Sequence, residues 1–146
     1  MSDERPFVTI QHPISKRWAF LEDDGMSAWL YITESADPVP IASCLIYSCL
    51  EPVPSVPADW KRGVPPPLTH DYATDRALQL NAEQAKLQLG WETNGRAVVV
   101  LMDDEPVAFM LVEEKRGYSK SVLRSGPYGE PWDDDLFEET FRANIV

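Results

Sequence analysis

Asn94-Gly95, set between the apolar alternations of residues 87–91 and 97–102, constrains this chain more than any other feature. A two-residue loop of that composition favours the type I′ turn, whose twist matches that of paired antiparallel strands. With the turn centred there, Trp91 falls opposite Val98 and Leu89 opposite Val100, so their side chains share one face. Asp103-Asp104-Glu105-Pro106 then turns the chain into a third run at 107–112, and Gly117 introduces a fourth expected strand at 118–124. Connections this short cannot hold crossover helices, so the sheet is expected to be antiparallel.

The first half reads in the same way. Strands are expected at 17–21, 28–33 and 41–50, the last apolar at nearly every position, as in a central strand covered on both faces. Gly25 supplies positive φ to the turn at 22–25. Strand, glycine turn, apolar strand, acidic turn with Pro-Val and apolar strand run in that order through 20–46 and again through 89–112. Two meanders follow, and an internal duplication is one explanation of them. Between the two lies a proline-rich loop, 51–68, with six prolines over 52–67. Proline cannot donate to a sheet ladder and stiffens such a stretch toward extended geometry. Residues 75–84 are rich in helix formers and predict a short helix, followed by a strand at 86–92. Asp133, Asp134 and Asp135 precede Leu136, Phe137 and Phe141 on one helical face, which predicts a capped C-terminal helix. The expectation is one α+β domain over 1–146, a mainly antiparallel sheet or partly open barrel with one or two packed helices.

Its 146 residues suffice for one core without staples, since a chain of that size buries about 68–70% of its unfolded surface. Twenty-four acids against thirteen Lys and Arg give a formal charge of -11 and a pI near 4.5. Such a field repels phosphate backbones and anionic lipid, so neither nucleic acid nor membrane is an expected partner. A basic protein fits it better. The N-terminus lacks a basic start with an apolar stretch, and no run reaches the roughly 18 apolar residues of a membrane helix. A cytoplasmic location is expected on those grounds.

Catalytic chemistry has little to stand on. His70-Asp71 offers a base and a carboxylate, but adjacent side chains rarely point together and no GxSxG elbow accompanies them. The Asp133–135 run lacks the spacing of a calcium loop, and no glycine pattern cradles a phosphate. No catalytic residue, metal ligand or cofactor is assigned. Cys44 and Cys49, at odd spacing in a strand, are expected on opposite faces as two buried thiols without a mutual disulfide.

Trp18, Trp29 and Trp91 are expected to fill the core, and Trp132 to staple the C-terminal helix to the sheet. Trp60 lies instead in the proline-rich loop beside Lys61 and Arg62, the aromatic and cationic types enriched at interface hot spots. Trp60, Lys61 and Arg62 are therefore the candidate binding residues. Asp103 and Asp104 join them as exposed acids, although such turns also read as ordinary polar turns.

The segments Trp18-Ala19-Phe20-Leu21-Glu22 with Gly25, Trp29-Leu30-Tyr31, Gly117-Tyr118-Ser119 and Gly129-Glu130-Pro131-Trp132-Asp133 resemble small bacterial proteins grouped as a domain of unknown function. The resemblance implies a bacterial cytosolic domain and supplies no activity, ligand or residue role. The leading functional expectation is a non-enzymatic acidic protein that binds a basic protein partner, as a stoichiometric inhibitor or immunity-type protein does. The alternative is a small-molecule-binding module or modest hydrolase with a site in the curved sheet. A homodimer-forming assembly subunit is the third reading.

Overall fold

The computed structural model describes residues 6–60 and 64–142. Two antiparallel meanders follow one another along the chain. The first consists of β1 (Phe7–Gln11), β2 (Trp18–Asp23), β3 (Ser27–Thr33) and β4 (Pro40–Ser48), in that spatial order. The second consists of β5 (Leu87–Trp91), β6 (Ala97–Met102), β7 (Glu105–Leu111) and β8 (Arg116–Ser119), with the two-residue β9 (Glu130–Pro131) parallel to β8. The sheets do not close into a barrel. Their inner faces meet in one core of Leu21, Leu30, Ile32, Ile46, Trp91, Val98, Val100 and Met110, contributed alternately along the strands. No helix of the described residues is long and apolar enough to cross a membrane.

At the junction of β4 and β8 the backbones approach closely. A Cβ on Gly117 would lie 2.4 Å from the Cβ of Cys44, so glycine is needed there for space rather than for φ. Beyond β8 the chain leaves the sheet: Ser121 Oγ donates to the Ile46 carbonyl at 2.6 Å, and Thr74 Oγ1 to the Lys120 carbonyl at 2.6 Å. That diversion is why β8 ends at Ser119 and not at 124 as expected.

The register of the central hairpin is as the apolar alternation predicts, with Leu89 opposite Val100 and Trp91 opposite Val98. Its turn differs. Gly95 alone has positive φ (73°), and its N–H donates to the Glu92 carbonyl at 2.8 Å, so the tight turn spans 92–95. The cause is tertiary: Arg17 Nη1 donates to the Gly95 carbonyl at 3.0 Å, and His12 Nε2 lies 2.9 Å from the Thr93 carbonyl. Type I′ geometry occurs instead at the next turn, where Asp103 (φ 52°) and Asp104 (φ 70°) are both left-handed between paired Met102 and Glu105.

Three further expectations are corrected. Residues 75–84 form no α-helix; a single 3-10 turn, Ala82–Gln84, is present. The segment is held to β4, with Ser48 N donating to the Ala77 carbonyl and Gln79 N to the Ser48 carbonyl. Those bonds replace the internal ones a helix would need. Cys44 and Cys49 do not take opposite faces. The register slips by one residue between the pairs Leu45–Trp29 and Tyr47–Ala28, so Cys44, Ile46, Tyr47 and Cys49 all adjoin the same core. Both thiols are free. β1 was not anticipated, and Trp18 lies half-exposed rather than in the core.

The outer faces of the sheets are treated differently. On the second, α1 (Asp134–Phe141) packs Phe137 and Phe141 on Phe109, with Trp132 against Phe109 and Phe137. On the first, Leu68, Tyr72 and Ala77 from the β4–β5 connection, with Val122 and Tyr128, cover Trp29 and Leu45. This cover sits over β3 and β4, leaving the β1–β2 side open.

Candidate functional site

Alternation along β2 places Ala19 and Leu21 in the core, which turns Trp18, Phe20 and Glu22 outward. Phe20 pairs across β2–β3 with Tyr31, and Phe7 pairs across β1–β2 with Glu22. Phe7, Phe20 and Tyr31 therefore run across three strands, from the open β1–β2 side to Tyr31 at the edge of the cover, where it packs against the Trp29 and Leu45 cluster. Trp18 extends this row: its ring stacks on Phe20 with centroids 6.1 Å apart, and its Nε1 donates to the Ala36 carbonyl at 3.2 Å. That bond ties the β3–β4 turn, with Pro38 and Pro40, against the aromatics. Phe7, Phe20, Glu22, Tyr31, Pro38 and Pro40 enclose a groove of about 260 Å³.

The face is apolar and open. Phe7 is 60% exposed and Val39 is 64% exposed, although fully burying a side chain of that kind stabilises a fold by roughly 1.5–3 kcal/mol. Its rim is acidic, with exposed Glu22, Asp24, Glu34 and Asp37. Burial, followed by the Glu22 and Asp24 charges, pushes the Tyr31 phenol above its ordinary value. The negative potential thus reaches the ring itself.

The residues singled out from sequence lie elsewhere. Trp60 is half-buried within its own loop, its N–H bonded to the Pro57 carbonyl and its Nε1 donating to the Val64 carbonyl at 3.0 Å. Lys61 and Arg62 lie outside the described residues. Asp103 and Asp104 form the β6–β7 turn, where Asp103 Oδ1 accepts from Lys86 N at 2.9 Å and Asp104 pairs with Lys86 at 3.6 Å. Among the described residues no hydrogen bond or ion pair links this turn to Trp60. His70 and Asp71 are both exposed on a 3-10 turn. Asp133 caps α1 by accepting from Leu136 N.

A second polar cluster lies at one end of the core. Buried Asp23 accepts from Tyr47 Oη at 2.8 Å, from Gly25 N at 2.8 Å and from Cys49 Sγ at 3.5 Å. It borders a cavity of about 260 Å³ reaching Gln79 and Glu83. Burial first, then the Asp23 charge, pushes the Cys49 thiol up to about 12, and burial with the Asp23 hydrogen bond raises the Tyr47 phenol as well. An activated nucleophile needs the opposite shift. The cluster is a tie between the β2–β3 turn and the end of β4. Among the described residues no group of three His, Cys, Asp or Glu is placed to hold a metal.

The aromatic face had a sequence signal. Between Trp18 and Trp60 there is no Lys, Arg or His, against seven acids: Glu22, Asp23, Asp24, Glu34, Asp37, Glu51 and Asp59. Five of them, Glu22, Asp23, Asp24, Glu34 and Asp37, lie in β2 to β4 and their turns, on the sheet that also exposes the aromatics. No protein-family model, curated protein or solved structure matches the chain, so the site rests on its geometry.

Proposed function

We propose that this is a non-catalytic binding protein that covers a basic surface of another protein, in the manner of a stoichiometric inhibitor, through the face formed by β1, β2 and β3. The observation that carries the reading is the row Phe7, Phe20, Tyr31 and Trp18 beside exposed Glu22, Asp24, Glu34 and Asp37, with no Lys, Arg or His in β2 to β4 or the turns between them. Aromatic side chains supply contact area at interfaces, and a surrounding single-sign field steers the encounter. The proline-rich loop becomes secondary in this reading, because the Trp60 indole N–H is already bonded within the loop.

The test begins with capture of basic proteins from native lysate at low salt and continues with the purified candidate. Light scattering should report a one-to-one complex. Its association rate should fall steeply as salt shortens the Debye length below about 10 Å. Phe20→Asp should abolish binding while Trp60→Ala leaves it intact, both variants keeping the thermal midpoint of a folded protein. Binding that survives Phe20→Asp, or an association rate indifferent to salt, refutes the assignment. If the protein is instead a dimer that Phe20→Asp turns into a monomer, the face serves self-association.

A further inference from the structure

Two partly exposed aromatic rings elsewhere in the protein carry their own cations. Lys120 Nζ sits 4.6 Å from the Trp132 ring centroid, and the Arg124 guanidinium carbon lies 6.0 Å from that of Tyr72. Among the described residues the groove between Phe7, Phe20 and Tyr31 has no Lys or Arg placed over its rings. Its carboxylate, Glu22, is exposed and forms no ion pair among the described residues. Three aromatic side chains and one exposed carboxylate around a small groove make an arrangement that attracts a cation on two counts, through the ring quadrupoles and through charge. No Lys, Arg or His lies in β2, β3, β4 or the turns between them, so that cation is not supplied by these elements.

Resting on the reading of this face as the binding surface, we propose that the groove receives one arginine side chain of the partner protein, its guanidinium stacked on Phe20 and Tyr31 and hydrogen-bonded to Glu22. Three features favour this occupant. At about 260 Å³ the groove falls just below the roughly 300–1,000 Å³ of small-molecule pockets, a size suited to one side chain. Guanidinium is planar and weakly hydrated, so it stacks on rings and pairs with a carboxylate at once, which the compact, strongly hydrated ammonium of lysine does less well. The acids Asp24, Glu34 and Asp37 around the groove complement a partner surface in which that arginine lies among other basic residues.

The experiment is a titration of the intact, isotope-labelled protein with the capped peptides Gly-Arg-Gly, Gly-citrulline-Gly and Gly-Lys-Gly, followed by backbone and aromatic NMR. The arginine peptide should perturb Phe7, Phe20, Glu22 and Tyr31 and saturate in the millimolar range. Its neutral isostere citrulline should bind at least about tenfold more weakly, and lysine between the two. Glu22→Gln should weaken the arginine peptide about fivefold without altering the fold, and Phe20→Leu should reduce the preference over citrulline by replacing the ring with an aliphatic side chain. Equal binding of arginine and citrulline overturns the proposal, as do shifts confined to α1 or the Asp103-Asp104 turn. A protein complex that is lost in Phe20→Asp, with no arginine preference in the peptides, refutes the groove's occupant and leaves the face standing. Arginine selectivity without any protein complex does the reverse.

Discussion

Asp103 and Asp104 make the same backbone sacrifice for different returns. Both are left-handed, which costs an L-residue roughly 1–2 kcal/mol, although Asp tolerates it better than most. Asp103 also accepts from Lys86 N, whereas Asp104 has only an exposed ion pair with Lys86 at 3.6 Å, of a kind that contributes about 0–1 kcal/mol. Replacing either by Gly relieves the strain, but only Asp103→Gly also loses a backbone-anchoring hydrogen bond. Asp104→Gly should therefore be the more stable of the two by about 1 kcal/mol in urea denaturation. Equal stabilities would mean that the Asp103–Lys86 bond contributes nothing. The sequence marked these two residues as exposed polar turn residues, and so they are. It also marked Trp60 as an available contact, because composition cannot say that the indole N–H turns back to Val64. Trp18 and Phe20 were passed over for the converse reason. Alternation tells which residues share a face and leaves open which face another segment will cover.

Elements were legible where local signals agreed and illegible where a distant segment competed for the same hydrogen bonds. α1 belongs to the first kind: three acids precede its apolar face, and Asp133 Oδ1 accepts from Leu136 N at 3.0 Å. Asp133→Ala should cost about 1 kcal/mol. Amide exchange should show the loss concentrated in the first turn, while the Phe109–Phe141 packing persists. A uniform loss of protection across both sheets would mean that the helix and sheet unfold as one unit. Residues 75–84 belong to the second kind. Their helix propensity amounts to a few tenths of a kcal/mol per residue, less than the backbone bonds that tie Ala77 and Gln79 to Ser48. The Asn94-Gly95 turn is intermediate: the register followed from the apolar pattern, and the turn geometry from contacts with His12 and Arg17.

At the scale of the whole molecule, burial of ionisable groups links stability to alkaline pH. Burial pushes the Cys44 thiol up to about 12 from an ordinary value of 9.0, and Cys49 is raised to about 12 as well. A group that holds its proton more tightly when folded contributes fully below the unfolded value. Its contribution is lost as pH rises toward the folded value. Urea stability should accordingly be flat in these thiols below about pH 9 and decline between pH 9 and 12. Replacing Cys49 by Ser should shallow that slope, and an unchanged slope would place the linkage elsewhere, with Cys44, Tyr47 and Tyr31 as the remaining raised groups. The sequence by itself determined the antiparallel meanders, the pairing of β5 with β6, the capped C-terminal helix and the acidity, because each depends on neighbours a few residues apart or on composition. The tertiary structure decided which aromatic face stays open, which loop hydrogen bonds replace a helix, and that Cys44 and Cys49 adjoin one core. Each of these depends on segments that meet only after the chain has folded, and local periodicity carries no information about which distant segment will arrive.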